Sequence, residues 1–155
     1  MISRKNILVL HGPNLNLLGE REPGIYGAMT LAGLNRLVRS EARKLGLAVR
    51  IFQSNGEGIL LDLLHRHRRW ARGVLINPGA YTHYSYALRD GLAAVRLPAV
   101  EVHLSDIRRR ERWRRISVVR PACFAQVSGR GAGGYLKGLR LLRKRLRSAD
   151  QLDAG

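Results

Sequence analysis

Apolar runs short enough to be strands recur along the chain, each followed by a segment with helical spacing, and this alternation narrows the possible folds most. The first run, "NILVLHG" at 6–12, is continuously apolar and stops at Gly-Pro. A run with no polar face fits a strand covered on both sides, as in a parallel sheet. Thr30 then stands as a helix N-cap, and Leu31, Leu34, Leu37, Val38, Ala42 and Leu45 follow with helical periodicity. Gly46 is placed to end that helix. The pattern repeats with strands at 47–53, 73–77, 98–104 and 123–129, and helices at 57–70, 82–95 and 133–146. The expected class is therefore α/β: a doubly wound, five-stranded parallel sheet with helices on both faces. It forms one domain over 1–147, followed by a frayed tail over 148–155.

Composition bounds the function. At 155 residues and 45% hydrophobic content, the chain suits one core. No apolar run reaches the roughly 18 residues of a membrane span. Cys123 is the single cysteine, so no intrachain disulfide forms, and a cytoplasmic location is expected. The net charge of +17 invites a nucleic-acid reading. Only four residues are lysine (Lys5, Lys44, Lys137, Lys144), and arginine supplies the rest. The basic stretches lack the aromatic interleaving of single-strand binders. Nucleic-acid binding is therefore not the expected main function, and an anionic small molecule is the better match to the charge.

Ligands of open parallel sheets bind beyond the C-terminal strand ends. The loops there are "HGPNLN", "QSNGEG", "NPGAYTH" and "HLSDIRRRERWRR", and they hold the polar candidates. Asn14 follows a Gly-Pro turn, Asn77 and His83 follow the third strand, and Glu101 and His103 share one side of the fourth by strict alternation. A carboxylate beside an imidazole can fix its tautomer and favour its charged form, which suits a general acid. No His, Cys, Asp and Glu cluster has metal-ligand spacing. "GRGAGG" at 129–134 resembles a phosphate-cradling loop but reads more simply as close backbone packing.

The segments "GPNLNLLGEREPGIYG", "QSNGEG", "NPGAYTHYSYALRD", "EVHLS…RERWR" and "SGRGAGGYLKGL" resemble the signature segments of the type II 3-dehydroquinate dehydratases, in order, from about residue 6 to residue 142. The resemblance implies a flavodoxin-like fold, assembly as a dodecamer of trimers, and dehydration of 3-dehydroquinate to 3-dehydroshikimate without metal or organic cofactor. It leaves open a role in aromatic biosynthesis or in quinate breakdown, and a paralogue acting on a related cyclic hydroxy-ketone acid is the alternative. Such a reaction needs a base, a group to hold the enolate and an acid for the leaving hydroxyl. None of the four lysines lies in these loops, so a Schiff base is not expected. No carboxylate stands out as base, Tyr26 is the remaining candidate, and Arg21 five residues earlier would favour its phenolate.

The resemblance implies these same roles for Tyr26 and Arg21, and assigns His103 as acid oriented by Glu101. It gives Asn14 a water held against the enolate oxygen. Asn77, Ser105 and the Leu104 backbone would bind the substrate carboxylate, His83 and Arg114 the ring hydroxyls, and Asp90 a neighbouring subunit's site. Arg110 matches a family arginine but is assigned no role. Asp106 stands where the family usually has Asn, and Tyr84 where it has a smaller residue. An assembly of subunits this basic repels itself, so added salt or bound anions should tighten it. Light scattering across a salt series checks this, and dissociation as salt rises would contradict it.

Overall fold

In the computed structural model, residues 5–20, 24 and 28–154 are described. Five strands form one all-parallel sheet: β1 (Lys5–His11), β2 (Leu47–Gln53), β3 (Gly73–Asn77), β4 (Ala99–His103) and β5 (Ala125–Ser128). Their spatial order is β2-β1-β3-β4-β5, the flavodoxin-like order, with its switch point between β1 and β3. Four long helices connect or close them: α1 (Leu31–Lys44), α2 (Glu57–His67), α3 (Tyr86–Val95) and α4 (Ala132–Asp153).

The continuous apolar run of β1 is explained by two cores. Ile7 and Val9 point into one, with Leu34 and Val38 of α1 and Leu139 and Leu142 of α4. Leu8 and Leu10 point into the other, with Leu60 and Leu64 of α2 and Leu88 and Leu92 of α3. All four β1 residues are fully buried, each worth roughly 1.5–3 kcal/mol over an exposed position. Register places the strand ends level: His11 pairs with both Gln53 and Asn77, and His103 pairs with Ser128. The groups just past the strands therefore gather along one edge.

Caps fall where local chemistry places them. Thr30 Oγ1 accepts from the Gly33 amide at 3.1 Å, and Gly46 takes the left-handed conformation at φ 68° after α1. Three helix boundaries differ from the sequence expectation. The segment at 82–95 divides: a 3₁₀ turn covers Gly79–His83, and α3 starts only after Ser85, whose Oγ accepts from Leu88 N. The α2 helix stops at His67, whose Nδ1 lies 2.9 Å from the Leu63 carbonyl oxygen. The closing helix does not end at 146; residues 148–153, expected as a tail, continue α4. There Asp150 pairs with Lys5, whose Nζ also donates to the Leu146 carbonyl at 3.1 Å. The strand expected at 123–129 shortens to Ala125–Ser128.

The loops after β1 and β3 touch backbone to backbone. Gly12 N donates to Asn77 O at 2.7 Å, and a Cβ on Gly12 would meet the Pro78 carbonyl oxygen at 2.5 Å. A Cβ on Gly133, inside α4, would meet nothing within 4 Å. Gly12→Ala should therefore cost more than about 2 kcal/mol, as overpacking of rigid backbone does. Gly133→Ala should be neutral or stabilising by about 0.5–1 kcal/mol. Denaturant titration of both variants checks the contrast.

Candidate active site

A cleft of about 90 Å³ opens at the C-terminal edge of β1, β3 and β4. Its walls include Asn14, Asn77, His83, His103, Leu104, Ser105, Arg110 and Arg114. Seven residues given a role from sequence, together with Arg110, thus converge here from three separate loops. Glu101 lies directly behind His103. Asp90 is exposed on α3 and is not among the cleft residues. Tyr26 and Arg21 lie outside the described residues.

The chemistry centres on a buried ion-pairing group. Glu101 is fully buried and His103 is 5% exposed, and His103 Nε2 lies 2.6 Å from Glu101 Oε1. Strand alternation makes this contact possible, since residues two apart share a side. A lone carboxylate in such a position would be costly. Three further donors satisfy it: Thr82 Oγ1 donates to Oε1, Ser117 Oγ reaches both oxygens at 2.8 and 2.9 Å, and Gln126 Nε2 donates to Oε2 at 3.1 Å. Burial pushes the Glu101 carboxyl up, but His103, Thr82 and Ser117 outweigh it and hold it below the usual glutamate value. With Nε2 engaged by Glu101, Nδ1 is the ring nitrogen of His103 left for a ligand.

Thr82 and Ser117 were not among the sequence candidates. Thr82 sits beside His83 and carried a weak signal. Ser117 carried none, because it meets Glu101 only through the fold of the long basic segment between β4 and β5.

The second histidine is held by backbone. His83 Nδ1 lies 2.7 Å from the Ile116 carbonyl oxygen, so this nitrogen carries the proton. Burial lowers its pKa, and the charges of His103 and Arg114 lower it further. A neutral His83 offers Nε2 as an acceptor. Its ring meets Trp113 edge-on at 5.3 Å, and the Arg114 guanidinium covers the other ring at 4.0 Å. Asn14 adopts the left-handed conformation at φ 68°, which Asn tolerates better than most residues. Its amide N–H is anchored by Asn55 Oδ1 at 3.0 Å.

The turn after β4 is held from behind. Gly129 N donates to Ser105 O at 3.1 Å and Gly131 N to Leu104 O at 3.0 Å. The glycine-rich loop therefore spends these amides on the site's own backbone rather than on a phosphate. Arg110 Nη1 donates to Ser105 Oγ at 3.2 Å. Asp106 does not line the cleft: its Oδ1 caps Arg108 N at 3.0 Å, and its carboxylate pairs with Arg108 and Arg109. Tyr84 is largely exposed. Burial raises the Cys123 thiol to about 12, which suits packing and not nucleophilic attack. Among the described residues, no group of three or more His, Cys, Asp and Glu is arranged to hold a metal, and no helix is long and apolar enough to cross a membrane.

The family model for dehydroquinase class II matches residues 5–143. The chain belongs to this family. A 3-dehydroquinate dehydratase of Nostoc sp. is 57% identical over 134 residues, covering 86% of this chain and 91% of that protein. One from Trichodesmium erythraeum is 53% identical over 137 residues, covering 88% and 91%. Among solved structures, the type II dehydroquinase from Butyrivibrio crossotus superposes with a TM-score of 0.88 at 42% identity, covering 90% of this chain and 97% of that one. The five-stranded parallel sheet and the two helical layers read from the sequence agree with that fold.

Replacing Glu101 by Gln keeps the shape but removes the charge facing His103. Glu101→Gln should lower turnover about 100-fold, the low end for losing a positioned acid. It should also destabilise the fold. The Glu101 pKa is lower folded than unfolded, so the unfolded chain takes up the proton first as pH falls. The stabilisation is present above the ordinary glutamate pKa of 4.5 and is lost as pH falls through the folded value. Denaturation at pH 7 and at pH 4 should show the gap between wild type and Glu101→Gln narrowing in acid.

Proposed function

We propose that this chain dehydrates 3-dehydroquinate to 3-dehydroshikimate through an enolate, using side chains alone. The observation that carries this reading is the buried His103–Glu101 pair, set 2.6 Å apart in a cleft lined by amides and cations. Family membership supports the substrate, since the relatives at 53–57% identity are named for it.

In this reading Tyr26, as phenolate, removes the proton on the carbon next to the ketone. Arg21 stabilises that phenolate. The electron pair moves onto the ketone oxygen, and Asn14 places a water against the resulting enolate. The enolate then collapses, the carbon–oxygen bond to the leaving hydroxyl breaks, and His103 donates the proton that makes it water. Glu101, ionised behind the ring, orients His103 and offers a counter-charge to its protonated form. The proton taken by Tyr26 returns to solvent, and His103 is reprotonated, which closes the cycle.

The same reading assigns the binding groups. Asn77, Ser105 and the Leu104 backbone receive the substrate carboxylate. His83, neutral and with Nδ1 engaged, accepts from a ring hydroxyl through Nε2, and Arg114 donates to another. Arg110, anchored on Ser105, adds a cation beside that carboxylate. We further propose that Asp90, exposed on α3, serves a neighbouring subunit's site within a trimer, four of which form the dodecamer. The reaction serves aromatic biosynthesis or quinate catabolism, in the cytoplasm.

Turnover followed by the ultraviolet absorbance of the conjugated product tests the reading. Wild type should be active, and Tyr26→Phe and His103→Ala should each lose at least about 10²-fold in kcat. Equal activity of Tyr26→Phe and wild type would place the base elsewhere. Inactivity of wild type on 3-dehydroquinate would move the substrate to a related cyclic hydroxy-ketone acid.

A further inference from the structure

Two of the side chains that grip Glu101 come from outside the cleft. Gln126 of β5 is the register partner of Glu101 across the β4–β5 pairing, and its Nε2 donates to Oε2 at 3.1 Å. Ser117 comes from the long segment between β4 and β5, and its Oγ lies 2.8 and 2.9 Å from the two carboxylate oxygens. Neither Ser117 nor Gln126 is among the residues lining the cleft.

The Ser117 hydroxyl has a fixed direction. Arg120 N donates to its Oγ at 3.0 Å, so its single proton is left for the carboxylate. The backbone around it is fastened independently. Val119 is fully buried in the second core, Val118 N donates to Thr82 O at 2.8 Å, and Ile116 O accepts from His83 Nδ1 at 2.7 Å. The strap at 116–118 thus holds His83 by a carbonyl and Glu101 by a hydroxyl. His103, Thr82, Ser117 and Gln126 together supply donors for the roughly four lone-pair sites of the carboxylate. A carboxylate filled in this way cannot rotate without losing contacts, and cannot take the Nε2 proton of His103 without expelling a donor.

We infer that Ser117 and Gln126 are positioning residues for the acid: they hold the Glu101 carboxylate so that His103 keeps its Nε2 proton and presents Nδ1 to the leaving hydroxyl. The inference rests on the reading of His103 as that acid. Neither residue needs to touch substrate. Losing either slows proton donation and spares binding, because the binding groups have other supports. His83 is held by the Ile116 carbonyl, and Asn77 Oδ1 accepts from Gly79 N at 3.1 Å.

The experiment compares steady-state kinetics with 3-dehydroquinate for wild type, Ser117→Ala, Gln126→Leu, Glu101→Gln and His103→Ala, with thermal unfolding of each. Ser117→Ala and Gln126→Leu are also each combined with Glu101→Gln. Ser117→Ala should lower kcat about tenfold, the low end for one hydrogen bond to a charged group, with KM within about threefold. Gln126→Leu, which removes the longer contact, should lower kcat about fivefold with KM likewise held. Added to Glu101→Gln, either change should lower kcat by less than about twofold, because both act only through that carboxylate. A merely structural role would lower the melting temperature and leave kcat unmoved, or lower kcat equally with and without Glu101. If Ser117→Ala keeps the wild-type kcat, or raises KM instead, while His103→Ala is inactive, the positioning role is overturned and the acid stands. If His103→Ala keeps the wild-type kcat, both fall. Should Ser117→Ala fail to fold, Gln126→Leu and its double variant carry the same test, and an unchanged kcat overturns the inference.

Discussion

Parallel pairing of β1 with both β2 and β3 is the constraint on which the rest depends. A strand buried on both faces cannot shift register without moving apolar side chains against the wrong core. Ile7 and Val9 are committed to α1 and α4, Leu8 and Leu10 to α2 and α3. That commitment sets His11 level with Gln53 and Asn77. With the ends level, loops of different length and composition open onto one cleft, and the chemistry needs no further organising element.

The cleft spends its polar groups in two ways. Behind His103, donors converge on one carboxylate, so Glu101 stays charged inside the protein against the His103 ring. At the end of β1, neutral groups are ordered in a line, with His11 held between Asn35 and Tyr135. The first arrangement holds a charge and the second holds only neutral groups. Both are built from side chains far apart in sequence: Ser117 meets Glu101 across 16 residues, and His11 meets Tyr135 across 124. Asp106 shows the same economy, since its carboxylate is consumed by a turn and its neighbouring arginines.

Sequence legibility followed interaction range. The Glu101–His103 pair was readable because strand periodicity is local and exact in spacing. The Thr30 cap and the Gly46 stop were readable for the same reason. The start of α3 was misplaced because Ser85, not Thr82, supplies the cap, and Thr82 turns instead to Glu101. The far end of α4 was read as a tail because residues 147–153 lack an apolar stripe; what accompanies its continuation is the contact of Lys5 with Leu146 and Asp150. Ser117, His11 and Tyr135 had no local signal, since their partners come from other elements.

By itself the sequence determined the α/β alternation, the burial of the central strands on both faces, the family, and the set of loops that carry polar groups. These depend on periodicity and on side-chain type, which are properties of neighbours along the chain. Only the tertiary structure decided which of those groups share a proton. It set Ser117 and Thr82 on Glu101, turned Asp106 away from the cleft, and joined His11 to Asn35 and Tyr135. A hydrogen bond forms only within about 3 Å and along a narrow range of angles, and no spacing in sequence encodes that when the partners lie on different elements.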